Sequence, residues 1–315
     1  IIDDGSTDDS IQVAQDFQRK YSRANVVILD GGGNGVSHAR NIGLSYATGS
    51  WITFMDSDGF FGQSDFSSVL NMLNSSEFVD VNVVAYPEYY FNEYSERQFS
   101  EYGFPTNIRS MTVSRHPTTD KVRYRFTWKS PKVFPDIQGS VYTEKDYYWI
   151  AQARLNVLIR NLGDKKFFFE EDLPYAEDSI FVAQYVSSGV GLGRVTEGIT
   201  YHYLKNKYST VDKYSSSVTS YEMILKWANK VVEKLTTGDY VSPAGAGILL
   251  NEFGARLKMS RLFPMHLGET EYASWNDSMK HILRSISPEI FTKGMGDNKN
   301  AGQFIINKFV EMRGD

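Results

Sequence analysis

The chain has 315 residues, of which 41% are hydrophobic and 23% are charged, and its formal net charge at pH 7 is −5. A chain of this size can bury a full core, and its negative balance without a dominant basic stripe argues against a nucleic acid partner. Cysteine is absent, which excludes a disulfide framework and a thiolate metal site, and no apolar stretch approaches the length of a membrane span.

The first sixty residues alternate between predicted helices and strands. Apolar residues recur at helical spacing over residues 11–21, and Ser37–Ala47 has the pattern of a second helix. Asn25–Leu29 and Trp51–Met55 are short apolar runs of the kind that form buried strands. This alternation predicts parallel strands joined by right-handed crossovers. The carboxyl ends of such strands meet at one edge of the sheet, where ligands bind.

Two pairs of aspartates follow predicted strands at that edge: Asp3 with Asp4, and Asp56 with Asp58. Side chains at i and i+2 of an extended segment point the same way, and two close carboxylates repel each other. A hard divalent cation relieves that repulsion, and a site with few carboxylates suits a cation shared with substrate phosphates. The alternative is that Asp56–Gly59 is only a turn after a strand. The matching acidic pair upstream favours a metal and diphosphate site.

At these residues the chain resembles the family 2 glycosyltransferases, which have the A-type nucleotide-diphospho-sugar transferase fold. The matching segments are Ile2–Asp9, Asn34–Leu44, Gly49–Asp58, Tyr175–Phe181 and Thr200–Thr210. The resemblance implies an α/β fold in which helices flank a mostly parallel Rossmann-like sheet. It implies a catalytic domain over residues 1–214, with a nucleotide-sugar half at about 1–85 and an acceptor half at about 86–214. Apolar residues at helical spacing predict a helical C-terminal region over residues 215–315.

The resemblance also implies roles for individual residues. In that family the aspartates of the Asp-Asp-Gly segment contact the base and ribose of the donor nucleotide, and they match Asp3 and Asp4. The arginine of the Ala-Arg-Asn segment helps to hold the nucleotide, and it matches Arg40. The Asp-x-Asp motif binds Mn²⁺ or Mg²⁺ and the diphosphate, and it matches Asp56 and Asp58.

A carboxylate and a histidine later in the chain complete the predicted site. The aspartate of the family's Glu-Asp pair is the catalytic base in inverting members, which implies that role for Asp178. The sequence around it is typical of a loop leading into a helix near Ser179, and an ordinary N-cap aspartate is the alternative. His202 lies between two tyrosines and is a candidate further metal ligand, although a lone histidine in a strand is more often simply packed and hydrogen-bonded.

These features predict a metal-dependent, inverting glycosyltransferase with Mn²⁺ or Mg²⁺ as its cofactor. It would move a hexosyl or N-acetylhexosaminyl group from a UDP-sugar to a hydroxyl of a glycan or cell-surface polymer, in polysaccharide or cell-wall biosynthesis. A non-catalytic nucleotide- or glycan-binding module of the same fold is the alternative, and a nucleotidyltransferase is a third hypothesis. We expect a cytoplasmic enzyme, with an oligomer and peripheral association with the inner face of the membrane left open.

The sequence departs from the family pattern at two places. The family begins with a strand and a helix before its Asp-Asp-Gly segment, so we expect an N-terminal segment ahead of Ile1. Gly59 stands where the family commonly has another aspartate after the Asp-x-Asp motif. That position is not a metal ligand in the family pattern, so the second departure leaves the prediction nearly unchanged.

Overall fold

The computed structural model describes the following residues: 1–62, 66–86, 88–92, 101–102, 108–115, 122–128, 139–142, 155–173, 175–189, 192–195, 198–199, 201–205, 219–237, 242, 245–250, 252–253, 267–287 and 289. The boundary predicted at residue 214 lies outside them.

Strands and helices alternate at the start of the chain, as the sequence predicts. The described strands are β1 (Ile2–Asp3), β2 (Leu29–Asp30), β3 (Trp51–Thr53), β4 (Phe60–Phe61), β5 (Val83–Ala85), β6 (Glu88–Asn92), β7 (Glu101–Tyr102), β8 (Ile108–Arg115), β9 (Val122–Trp128), β10 (Gly139–Tyr142), β11 (Val157–Arg160), β12 (Leu192–Val195) and β13 (Tyr201–Lys205). The described helices are α1 (Ser10–Lys20), α2 (Val36–Tyr46), α3 (Phe66–Leu73), α4 (Glu177–Ser187), α5 (Thr219–Thr237) and α6 (Glu269–Arg284), with further helical residues at 245–250.

Local sequence explains where the first helices begin. The Ser10 N–H, at the start of α1, donates to the Asp8 carboxylate at 3.0 Å, which satisfies one of the amides that a helix leaves without a partner. Helix α2 follows Gly35, whose φ of 95° is accessible mainly to glycine. The predicted helix at Ser37–Ala47 is confirmed to within one residue. The strands are shorter than predicted, because only Leu29 of the first apolar run and Trp51–Thr53 of the second pair with a neighbouring strand.

The sheets are mixed, which differs from the mostly parallel sheet expected. Strands β1 and β2 form a parallel pair, and parallel pairing recurs between β5 and β12 and between β6 and β13. The five-stranded sheet has the order β10-β12-β5-β11-β3, and in it β3 runs antiparallel to β11. A four-stranded sheet has the order β4-β13-β6-β7, and β8 pairs with β9 in a hairpin. The predicted α/β class is confirmed, while the strand that borders β3 comes from a distant part of the chain.

The five-stranded sheet carries a hydrophobic cluster on each face. Val157 and Ile159 of β11 belong to one cluster, and Leu158 between them belongs to the other. This alternation is the two-residue period of a strand that is buried on both faces. The larger cluster joins α4 to the C-terminal helices, since it includes Phe181, Trp227 and Trp275. The C-terminal helices α5 and α6 therefore pack on the same side of this sheet as α4.

Helix α4 is the most enclosed helix of the site region, because every residue from Ser179 to Val186 is buried. Its first turn carries Glu177 and Asp178, so two carboxylates stand at the end of an element held firmly in the core. None of the helices in the described part of the chain is long and apolar enough to cross a bilayer.

Candidate active site

The first acidic pair holds the end of β1 against the glycine loop that precedes α2. The Asp4 carboxylate accepts the backbone N–H groups of Asn34 and Gly35 at 3.0 and 2.9 Å. The Asp3 carboxylate folds back onto its own turn and accepts the N–H of Ser6 at 3.3 Å. A side chain at Gly31 would meet the Asp3 carbonyl oxygen at 2.9 Å, so glycine is needed for this close approach. Both predicted nucleotide-binding aspartates thus lie at the carboxyl ends of the parallel pair.

Arg40 of α2 bridges two distant parts of the chain. Its guanidinium donates to the Glu177 carboxylate at 2.6 Å and to the Asp56 carboxylate at 3.1 Å. It also lies 5.4 Å from the centre of the Phe169 ring. The side chain is 14% exposed and that of Glu177 is 12% exposed, so this pair is largely removed from water. Arg40 thereby connects the turn after β3 with the first turn of α4.

The charges around Arg40 explain its protonation. Burial by itself would lower the pKa of Arg40, but the negative charges of Glu177, Asp56 and Asp178 together raise that pKa above its ordinary value. One guanidinium therefore faces three carboxylates. The cluster keeps an excess of negative charge, which favours binding of a further cation.

Asp58 adds a further carboxylate beside Asp56. Partial burial raises the pKa of Asp58, and the neighbouring charge of Asp56 raises it further. Carboxylate oxygens are suitable ligands for Mg²⁺ or Mn²⁺, and such cations are often held by one or two carboxylates together with substrate phosphates and water. The described residues contain no group of three or more His, Asp or Glu side chains able to hold a metal ion. Among the described residues Asp56 and Asp58 therefore form no three-residue cage with His202, and a cation at these two carboxylates would need further ligands from a substrate or water.

His202 lies beside the turn that carries the two aspartates. It pairs with Phe60 across β13 and β4, and the two rings stack with centres 4.6 Å apart and planes within 7°. The preceding residue, Tyr201, touches the turn itself, since its hydroxyl accepts the Asp56 N–H at 3.1 Å. His202 is thus a strand residue whose ring stacks on Phe60, and its role as a metal ligand stays a prediction.

The segment Asp56–Gly59 is a turn as well as part of the acidic cluster. The Gly59 N–H donates to the Asp56 carbonyl oxygen at 3.0 Å, which closes the four-residue turn. A side chain at Gly59 would overlap the hydroxyl and ring of Tyr201. The glycine that departs from the family pattern therefore makes room for the tyrosine that supports Asp56. The turn and the site are compatible, so the two sequence interpretations do not exclude each other.

Gly59→Ala is expected to displace Tyr201 and to destabilise the fold by about 1–3 kcal/mol, because overpacking forces neighbouring atoms to move. Urea denaturation measures the loss. Gly43→Ala is the matched control, since its added carbon would meet Ile2 at an ordinary 3.6 Å within a helix. Unchanged stability of Gly59→Ala would contradict the packing described here.

The first turn of α4 presents the predicted base. Ala176, which precedes the helix, has φ 58° and ψ 22°, a left-handed conformation that is uncommon for a residue with a side chain. The chain turns sharply there and brings Glu177 to Arg40, with Asp178 close enough to influence the same guanidinium. The helix begins at Glu177, two residues before the position expected from the sequence.

The structure gathers four of the predicted residues, Arg40, Asp56, Asp58 and Asp178, around one charged cluster. Asp3 and Asp4 lie at the adjoining end of α2 and are linked to the cluster through that helix. Sequence reasoning missed Glu177, the closest partner of Arg40, and Tyr201. The signal for Glu177 was present in the Glu-Asp pair, of which only the aspartate was assigned a role.

Comparison with known proteins supports the family resemblance. Residues 1–133 match the family described as glycosyl transferase family 2. The minor teichoic acid biosynthesis protein GgaA of Bacillus subtilis (strain 168) is 29% identical over 297 residues, which are 92% of this chain and 56% of that protein. The minor teichoic acid biosynthesis protein GgaB of the same organism is 25% identical over 203 residues, 64% of this chain and 19% of that protein. The chain thus spans about half of the first relative and much less of the second.

A solved structure supports the fold. The crystal structure of S. aureus TarS 1-349 in complex with UDP aligns with 99% of this chain and 78% of that chain. The TM-score is 0.62 at 14% sequence identity. The predicted A-type fold, with an α/β architecture, is confirmed by this likeness.

Proposed function

Residues 1–133 of this chain belong to glycosyl transferase family 2, and from this premise we propose that the protein is an inverting, metal-dependent glycosyltransferase that uses a UDP-sugar. The observation that carries the proposal is the bridge from Arg40 to Asp56 and Glu177, at 3.1 and 2.6 Å. It joins the predicted diphosphate-binding turn to the helix turn that carries the predicted base. A donor and an acceptor must both be close to the same carbon, and this bridge supports such an arrangement.

The proposed step is a single displacement at the anomeric carbon. The oxygen of the acceptor hydroxyl forms a bond to that carbon while the bond from the carbon to the UDP oxygen breaks. The proton of the hydroxyl passes to the carboxylate of Asp178, and UDP leaves with the electron pair. A hydroxyl is a weak nucleophile near neutral pH, and a positioned general base accelerates such a step by about 10²–10⁴-fold.

Asp56 and Asp58 are the residues proposed to hold the divalent cation. Burial, and after it the neighbouring charge of Asp56, raises the pKa of Asp58, and a cation bound between the two carboxylates would relieve the repulsion part of this cost, which supports the role. A cation bound there would neutralise charge on the departing diphosphate. Arg40, Asp3 and Asp4 are proposed to hold the nucleotide, with the two aspartates at its base and ribose.

The relatives suggest the chemistry of the acceptor. GgaA and GgaB are described as minor teichoic acid biosynthesis proteins, and the solved TarS structure contains UDP. We propose a hydroxyl of a teichoic-acid-type cell-wall polymer as the acceptor, and a hexosyl or N-acetylhexosaminyl group as the sugar transferred. Each of these finer assignments is open to direct measurement.

Release of UDP, measured with Mn²⁺ or Mg²⁺ across a panel of UDP-sugars with and without teichoic acid, tests the proposal. We expect turnover with at least one donor, stimulation by the acceptor, and inversion at the anomeric carbon by NMR. Tight UDP binding without turnover on any donor would favour the alternative of a non-catalytic binding module. Retention of the anomeric configuration would overturn the single displacement.

Asp58→Ala is expected to remove the dependence of UDP binding on a divalent cation. Calorimetry with Mn²⁺ and with a chelator should give different UDP affinities for the unmodified protein and one low affinity for the variant. Asp277→Ala, which removes an exposed carboxylate of α6, is the control for the change in net charge. If Asp58→Ala retains the cation-dependent affinity, Asp58 is not a metal ligand.

A further inference from the structure

We propose that the C-terminal helix α5 positions the carboxylates of the active site, through a buried hydrogen-bonded relay from Trp227 through Ser179 to Ala176. The inference rests on the proposed function, since it concerns the proposed base. It assigns a role to a helix that lies outside the residues matching the family.

The relay is continuous and fully enclosed. The indole N–H of Trp227 donates to the Ser179 hydroxyl at 2.9 Å, and that hydroxyl donates to the Ala176 carbonyl oxygen at 2.6 Å. Trp227 is 1% exposed and Ser179 is 0% exposed. Water does not reach these groups, so removal of the Ser179 hydroxyl would leave the buried indole N–H without this hydrogen bond. Apolar side chains at positions 227 and 179 could fill the same space, but they would not link α5 to the Ala176 carbonyl by hydrogen bonds.

The end of the relay lies at a strained position. Ala176 adopts the left-handed conformation, which is disfavoured for a residue with a side chain and persists only where its surroundings enforce it. Its carbonyl oxygen accepts two hydrogen bonds, from the Ser179 hydroxyl and from the Ser179 N–H at 3.2 Å. Glu177 and Asp178 follow immediately. The hydrogen bonds that fix the Ala176 carbonyl therefore also fix the orientation of the backbone from which the Glu177 and Asp178 side chains project.

A second set of contacts holds the loop that leads into this turn. Lys234 of α5 lies 2.6 Å from the Glu170 carboxylate, and Lys230 lies 3.5 Å from it. From the other side, the Asn41 side chain accepts the Phe169 N–H at 2.8 Å and donates to the Phe169 carbonyl oxygen at 3.0 Å. The loop is thus held between α2, which carries Arg40, and α5. Both helices act on the geometry of the same cluster.

Trp227→Phe removes the first hydrogen bond of the relay, Ser179→Ala removes both, and each keeps most of the packing. We expect each to lower kcat by about tenfold or more while KM for the UDP-sugar stays within about twofold, because small misplacements of a reacting group slow the chemical step strongly. Residues that act as one unit give non-additive losses, so the double variant should be no slower than the worse single variant.

Trp275→Phe is the matched control. Its indole N–H also makes a buried hydrogen bond, to the Tyr221 carbonyl oxygen at 3.1 Å, and this bond ends on α5 and not on Ser179 or Ala176. We expect this variant to lose stability without a change in kcat. If Trp227→Phe does not fold, Ser179→Ala alone decides the outcome, since it removes a single hydroxyl.

The outcomes separate the inference from the proposed function. Absence of turnover in the unmodified protein refutes the proposed function and the positioning role together. An active protein whose Trp227→Phe and Ser179→Ala variants keep normal kcat refutes only the positioning role. Equal losses of kcat in Trp275→Phe and Trp227→Phe, or additive losses in the double variant, also refute it, because they indicate general loosening of the core.

Discussion

Asp178→Asn is expected to lower kcat by about 10²-fold or more while the affinity for UDP stays close to that of the unmodified protein. The amide keeps the size of the side chain and cannot accept the proton of the acceptor hydroxyl. Asp178 lies in the first turn of a helix whose following residues are buried, so the substitution should not shift the backbone. UDP release under saturating donor and acceptor measures kcat, and calorimetry measures the affinity.

Asp164→Asn is the control for that experiment, because Asp164 is also an aspartate of a first helical turn but lies at an exposed position. It should change kcat by less than about twofold, as expected for a surface substitution. Near-normal turnover in Asp178→Asn would remove this residue as the base. A parallel loss of UDP affinity would instead make it a binding residue.

Local sequence patterns predict the early elements of this fold well, and they do not predict the partner of β3. The apolar run at Trp51 predicts a buried strand; a strand is confirmed over Trp51–Thr53, and its side chains are half-buried. The direction of pairing depends on Val157–Arg160, about a hundred residues later, which runs antiparallel to it. An apolar run carries no information about the direction of its neighbour. The mixed sheet therefore depends on long-range pairing that periodicity cannot reveal.

The candidate site, like the fold, is only partly predictable from the sequence. The family resemblance singles out Arg40, Asp56 and Asp178, and for Asp56 the spacing to Asp58 after a predicted strand gives independent support. Their mutual contacts depend on how α2, β3 and α4 pack, and only the structure reveals that Glu177 is the closest partner of Arg40. The left-handed turn at Ala176 was equally unpredictable, because alanine has no preference for that conformation. In the structure the Ala176 carbonyl oxygen accepts the Ser179 hydroxyl, which itself accepts the Trp227 indole N–H from a distant helix.

Arg40→Ala is expected to have the largest combined effect on stability and binding. Removing the guanidinium leaves the Glu177 carboxylate buried without its cation, and breaking a buried ion pair from one side costs about 3–5 kcal/mol. The same change removes a charge-assisted hydrogen-bond donor near the proposed diphosphate site, so UDP affinity should fall about tenfold or more. Urea denaturation and calorimetry measure the two effects.

The two effects of Arg40→Ala are separable, because they have different causes. In Arg40→Ala/Glu177→Gln the buried carboxylate is gone, so most of the lost stability should return while the UDP affinity stays low. Arg160→Ala is a comparison for loss of an arginine elsewhere: its guanidinium donates to the Phe78 carbonyl oxygen at 2.8 Å and stacks on Trp51, and its removal should destabilise the fold without weakening UDP binding. Recovery of both properties in the double variant would mean that Arg40 only neutralises Glu177. Recovery of stability alone would mean that the positive charge of Arg40 also acts on the nucleotide. The hydrogen bond from Arg40 to Asp56, a residue of the predicted diphosphate-binding turn, supports that role.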